Sequence, residues 1–133
     1  MPKKNTPKTG VLVAAGQALT GSYVTFGGVI SASGYDQLSL IIAFTKGDET
    51  QLDFRVQFSD TIGFTVAYER IVTDTDATGL SNVLDNPYKR TSSGNMEVPI
   101  AIRGHFLRVQ FKATGGTPTG TFGASYRLDN VDR

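Results

Sequence analysis

The stretch Gln51-Leu52-Asp53-Phe54-Arg55-Val56-Gln57-Phe58-Ser59 decides the fold. Leu52, Phe54, Val56 and Phe58 fall on one side, and Gln51, Asp53, Arg55 and Gln57 on the other, without a fault. Side chains alternate across a strand with a period of two, whereas a helical face needs apolar residues three and four apart. The segment therefore reads as a strand with an apolar row on a core and a polar row outside it.

The same reading extends in both directions. Gln37 to Thr45 (QLSLIIAFT) places Leu38, Leu40, Ile42 and Phe44 on one face. Ile41 and Ala43 make its second face apolar too, which predicts a central strand covered on both sides. Lys46-Gly47-Asp48-Glu49 is predicted to be a four-residue hairpin loop, with its acids as ordinary turn formers. Further back, Ser22 to Ser31 is a strand interrupted by a bulge at Gly27-Gly28, and Val11 to Thr20 is a strand broken at Gly16. Forward of Ser59, Asp60 to Gly63 turns, and Phe64 to Val72 is predicted as a strand with Phe64, Val66 and Tyr68 inward. Thr73 to Asn95 is a long excursion, with room for a helical turn at Leu80 to Leu84; connections of that length are uncommon and often functional. Met96 to Ile102, Phe106 to Ala113 and Thr119 to Leu128 resume the alternation, and Pro99 marks its strand as either an edge or bulged.

About eight short strands separated by turn residues specify an all-β fold: one antiparallel two-sheet sandwich, of jelly-roll type as first choice, with an immunoglobulin-like sandwich or a barrel as the alternative. Residues 11–133 form this domain, and residues 1–10 (MPKKNTPKTG) read as a flexible basic arm, since Pro2 and Pro7 oppose a helix and nothing beyond Met1 can be buried.

Composition agrees. The chain has 133 residues, enough for one domain with a real core. Gly, Ser and Thr number 15, 9 and 16, and favour turns and strands over helices. Lys+Arg is 13 against 12 Asp+Glu, so net charge argues for neither nucleic acid nor an anionic membrane as partner. Val11 to Tyr35 is uncharged, but its glycines and polar residues leave no apolar run of the ~20 residues a membrane helix needs. No apolar signal segment follows the basic start, which points to synthesis in a cytoplasm-like compartment. Cysteine is absent, so disulfides and thiolate chemistry are excluded.

No catalytic constellation stands out. His105 is the single histidine, no Gly-x-Ser-x-Gly elbow accompanies it, and no pair of carboxylates is marked for glycoside hydrolysis. The expectation is a protein that is not an enzyme and needs no cofactor. Asp74, Asp76, Thr78 and Asp85, with Gly79 between them, match a calcium-loop spacing, although the final position is Asp where the scheme wants a bidentate Glu. A solvated loop using Asx turns explains the same residues. Arg55, Arg103, Arg108, Lys112 and Arg127 stand on outward positions, with Asp53, Glu69 and Glu97 interleaved among them. Pro87-Tyr88-Lys89-Arg90 is a small basic and aromatic patch suited to protein contact, as are Lys3, Lys4 and Lys8 in the arm.

Tyr35 to Asp60, YDQLSLIIAFTKGDETQLDFRVQFSD, resembles a segment of small β-sandwich virion proteins of tailed bacteriophages, a group that includes head decoration and minor capsid or tail proteins. The resemblance implies a structural subunit of the virion, made in the host cytoplasm. Its partners would be the major capsid protein or other virion proteins, and copies of itself in a closed oligomer such as a trimer. It implies no catalytic residues. The competing expectation is a carbohydrate-binding sandwich, free or in a receptor-binding fibre, stacking sugars on Tyr23, Tyr35, Tyr88 or Phe106.

Overall fold

The computed structural model describes residues 6–67, 73–75, 81–83 and 88–130. Within them the strands are β1 (Lys8–Ala18), β2 (Val24–Ser31), β3 (Gln37–Thr45), β4 (Gln51–Ser59), β5 (Thr73–Thr75), β6 (Ser81–Val83), β7 (Tyr88–Arg90), β8 (Gly94–Ala101), β9 (Phe106–Thr114) and β10 (Thr121–Asp129). The described residues contain no helix.

Eight of the strands form two antiparallel four-stranded sheets, ordered β1-β10-β3-β8 and β2-β9-β4-β7; β5 and β6 pair with each other. The pairing is nested: β1 joins β10, β2 joins β9, β3 joins β8 and β4 joins β7. The chain thus behaves as one long hairpin bent between β4 and β7, whose rungs alternate between the two sheets.

Alternation supplies the reason the sheets face each other. Leu38, Leu40 and Ile42 of β3, Leu52, Phe54, Val56 and Phe58 of β4, Leu107, Val109 and Phe111 of β9, and Phe122 and Leu128 of β10 are all buried between them. Each such side chain contributes about 1.5–3 kcal/mol by leaving water. The two layers interlock through rings: Phe111 lies 4.6 Å from Phe122, and Phe26 meets both edge-on at 5.9 and 5.2 Å. At Gly27-Gly28 the β2–β9 register shifts, and both glycines hold positive φ (78° and 66°), a conformation that side chains resist.

Five expectations need correction. Lys46 to Glu49 does not close a hairpin, because β3 and β4 lie in different sheets; the loop carries the chain across the end of the sandwich. Glu49 is no ordinary turn acid: it is 0% exposed, and its carboxylate accepts the amide of Gly120 at 2.6 Å and that of Gly47. The second face of β3 is covered only at Ser39: Ile41 is 46% exposed and Ala43 is exposed, since a sandwich buries only one face of each sheet. Phe64 to Ala67 is not strand. Phe64 sits at a φ of 51° after a turn in which its amide donates to Thr61, and Val66 is exposed; Tyr68 to Val72 lie outside the described residues. Finally, Ser81 to Val83 is strand and not helix, pairing with Thr73 to Thr75. The eighth sandwich strand is β7, which lies within the Thr73 to Asn95 excursion.

Candidate functional site

Every sandwich strand except the four at the margins has both its edges paired, so a further strand could add only at those four edges, and other contacts fall to the outer faces, the loops and the N-terminal segment. The edges are poorly suited. Along β1 the register slips twice, between Val11 and Val13 and between Val13 and Gln17. The slip at Gly27-Gly28 breaks β2, β7 is three residues long, and Pro99 sits in β8. A proline lacks an N–H, and an edge interrupted by bulges, prolines or shortness presents no continuous ladder to an incoming strand.

On the β2-β9-β4-β7 sheet the outer face is polar and bonded across strands. Arg55 Nε donates to Gln110 Oε1 at 2.7 Å, and Gln110 Nε2 donates to Thr25 Oγ1 at 2.9 Å, tying three strands in one row. One row along, Arg108 Nε donates to Gln57 Oε1 at 2.8 Å. Asp53 stands between Lys89 and Lys112 in the register and accepts from Gln51 Nε2 at 2.6 Å and from the Thr114 hydroxyl. Tyr23 is covered by the Arg55 guanidinium at 4.0 Å and the Lys112 ammonium at 4.7 Å, and the Arg108 guanidinium lies 4.6 Å from the Phe64 ring. Cation–π contact of this kind is worth roughly 0.5–1 kcal/mol at exposed sites. Phe64, which has a positive φ, thus carries its ring beside Arg108 and outside the core cluster.

The β1-β10-β3-β8 sheet is different. Its middle row runs Val11, Ser125, Ile41, Glu97, and the next runs through Gly123, Ala43 and Asn95. A Cβ on Gly123 would come within 2.8 Å of Ala15 Cα, so β1 lies flat against β10 only because that position is glycine. Val11 is 71% exposed and Ile41 46%. They rise from a shallow groove floored by Ala15, Ala43 and Gly123. Arg127, on this face beside Ser39, pairs with Asp129 at 3.0 Å.

The residues singled out in the sequence fall as follows. Lys3, Lys4, Asp76, Thr78, Asp85 and Pro87 lie outside the described residues. Asp74 is a rung of the β5–β6 ladder opposite Asn82. Lys8 begins β1, paired with Leu128, so residues 8–10 belong to the sandwich edge and not to a free arm. The arm is pinned nearby, where the Tyr35 hydroxyl donates to the Thr6 carbonyl at 2.8 Å. In β7 the tripeptide divides: Tyr88 stacks on Phe54 at 5.1 Å, Lys89 is exposed, and Arg90 turns back to the carbonyl of Ser92 at 3.0 Å. Ser33 Oγ and His105 Nδ1 are 3.3 Å apart in an exposed position. Among the described residues no three His, Asp or Glu side chains are placed to hold a metal ion, and no helix is long and apolar enough to cross a membrane.

The interleaving of Arg55, Arg108 and Lys112 with Glu97 vanishes in three dimensions, because Glu97 belongs to the other sheet. Sequence reasoning missed Glu49 and the groove. Gly120 and Gly123, small residues at fixed offsets within an otherwise regular strand region, were the available signals for close approach.

No protein-family model matches this chain, and no curated protein matches it.

Proposed function

We propose that the chain is a non-enzymatic structural subunit of a tailed-bacteriophage virion, made in the host cytoplasm, that decorates and stabilises the shell by binding the major capsid protein lattice. The observation that carries this reading is the combination of four blunted edges with two broad, chemically distinct outer faces, which suits a frame that adheres through defined surfaces and resists uncontrolled strand addition. The nested pairing is consistent with jelly-roll winding. The resemblance of Tyr35 to Asp60 supports the particle context, and that segment is the β3-to-β4 crossing with Glu49 at its centre.

In this reading Lys3, Lys4, Lys8 and Lys89 supply contacts to acidic neighbours. Many copies on one shell turn modest contacts into firm retention. The carbohydrate reading draws less support: the Tyr23 ring carries two cations, Tyr88 is stacked on Phe54, and the Tyr35 hydroxyl is committed to the arm.

The test is the composition of particles induced from the host that carries the gene. The chain should band with particles in an isopycnic gradient and be released without loss of the major capsid protein. Particles that contain none of it overturn the proposal. Glycan-array binding abolished by Tyr23→Ala would favour the carbohydrate reading instead.

A further inference from the structure

We propose that the outer face of the β1-β10-β3-β8 sheet is a self-docking surface, occupied by the same face of a second copy of this chain, with a two-fold axis lying between the facing sheets and running along β3.

Four observations lead there. The blunted edges disfavour association by strand addition and favour association through the faces. The opposite face has its cations on rings and amides, whereas this one is uncharged at its centre and exposes Val11 and Ile41 above a floor of small residues. Small residues let a second sheet approach at the ~10 Å spacing of packed sheets.

The face is also self-complementary in charge. In the sheet order β10 and β8 flank β3. A two-fold along β3 therefore lays β10 of one copy over β8 of the other and sets Ile41 against Ile41. Ser39 has Arg127 as its partner on one side and Pro99 on the other. Arg127, paired with Asp129 within its own chain, thus comes over the second copy's β8 with Glu97 two residues further along it, roughly 7 Å away at ~3.3 Å per residue, so that the guanidinium can bridge the two carboxylates. The same pair forms twice, as an isologous contact requires.

The extent fits a reversible dimer. Four strands about 4.8 Å apart and nine residues long at ~3.3 Å each offer roughly 550 Å² per copy, about 1,100 Å² in all, near the lower limit for specific interfaces. Association in the micromolar range is expected, strengthened wherever copies are concentrated.

Sedimentation velocity on the full chain across the micromolar range tests this. The wild type should show a concentration-dependent monomer–dimer equilibrium. Ile41→Glu should weaken it by about tenfold or more while unfolding at a concentration where both chains are monomeric stays cooperative, since the residue is outside the core and meets only Glu97 across the β3–β8 pair. Because the chain has no cysteine, Ile41→Cys gives a clean second readout. A short bis-maleimide reagent should link two copies through this position, the ~10 Å sheet spacing being too wide for a direct disulfide, and Val29→Cys, comparably exposed on β2, should not be linked. Arg127→Glu and Glu97→Arg should each weaken the dimer, and the double variant should restore it. A wild type that stays monomeric, a dimer indifferent to Ile41→Glu, crosslinking no faster at residue 41 than at residue 29, or a double variant without restoration would each overturn the proposal. It stands apart from the virion reading: a chain that dimerises but never bands with particles keeps this inference and loses the other, and the reverse result separates them equally.

Discussion

The two outer faces of the sandwich are built from strands of the same kind, yet they solve the exposure problem in opposite ways. On β2-β9-β4-β7, long polar side chains lie across neighbouring strands and satisfy one another: Arg55 with Gln110, Arg108 with Gln57, Asp53 with Gln51 and Thr114. On β1-β10-β3-β8, the outward positions at the middle of the central strands are short or apolar (Ser39, Ile41, Ala43, Gly123 and Ser125), and the charged pair Arg127–Asp129 lies toward one end. The first face is stabilised by its own cross-strand pairs, each worth about 0.2–1 kcal/mol. The second gains little from itself and most from being covered. The difference teaches that a β-sandwich can spend one outer surface on internal cohesion and leave the other for association.

That contrast can be broken or sharpened by substitution, and the largest effect should come from neighbours on one strand. Ile42 is 0% exposed and Ile41 46%. Ile42→Ala should lower unfolding free energy by about 2–5 kcal/mol through lost burial and a cavity, whereas Ile41→Ala should stay within about 0.5 kcal/mol in the monomer. Denaturant titration of both at a low protein concentration checks this; equal losses would mean that Ile41 is covered within the monomer and the contrast is false.

Next comes Glu49→Ala. It removes the acceptor of the Gly47 and Gly120 amides at the end of the sandwich and leaves two donors behind, each worth about 1–3 kcal/mol when buried without a partner. A total loss of about 2–4 kcal/mol is expected, with amide exchange accelerated at Gly120 in particular. Unchanged protection there would show that the loop between β3 and β4 does not depend on this carboxylate.

Smaller losses are expected on the bonded face. Gln110→Ala cuts the row from Arg55 to Thr25 and should cost about 1–2 kcal/mol. The smallest is Tyr23→Leu, which keeps apolar cover over Arg55 and Lys112 but deletes the ring, at about 0.5–1 kcal/mol. Thermal melts should rank the two in that order, and neither should alter self-association. If Gln110→Ala shifted the monomer–dimer balance, the division of labour between the faces would be wrong.

Much of the fold is legible in the chain because alternation is a local property. Leu52 to Phe58, Leu38 to Phe44 and Leu107 to Phe111 announce their inner faces without any knowledge of partners. The bulge at Gly27-Gly28 and the edge position of the strand holding Pro99 are legible for the same reason, since positive φ and a missing N–H act at single residues. The candidate surfaces were less legible. Ile41 and Ala43 look like the second buried face of a central strand, and only the absence of a third layer over them in the sandwich turns them into an exposed apolar face. Phe64 looks like an inward strand residue, but its place is over Arg108.

Residue type and spacing thus determined which segments are strands and which side of each faces the core, because the pleat imposes a period of two wherever a strand runs. Tertiary structure alone decided which strands are neighbours. Nothing local can show that β1 pairs with β10 at the far end of the chain, that the loop after β3 crosses between sheets, or that Glu49 is drawn inside to meet the amide of Gly120. Those choices depend on joint burial of apolar rows distant in sequence, and on pairing every polar group that such burial encloses.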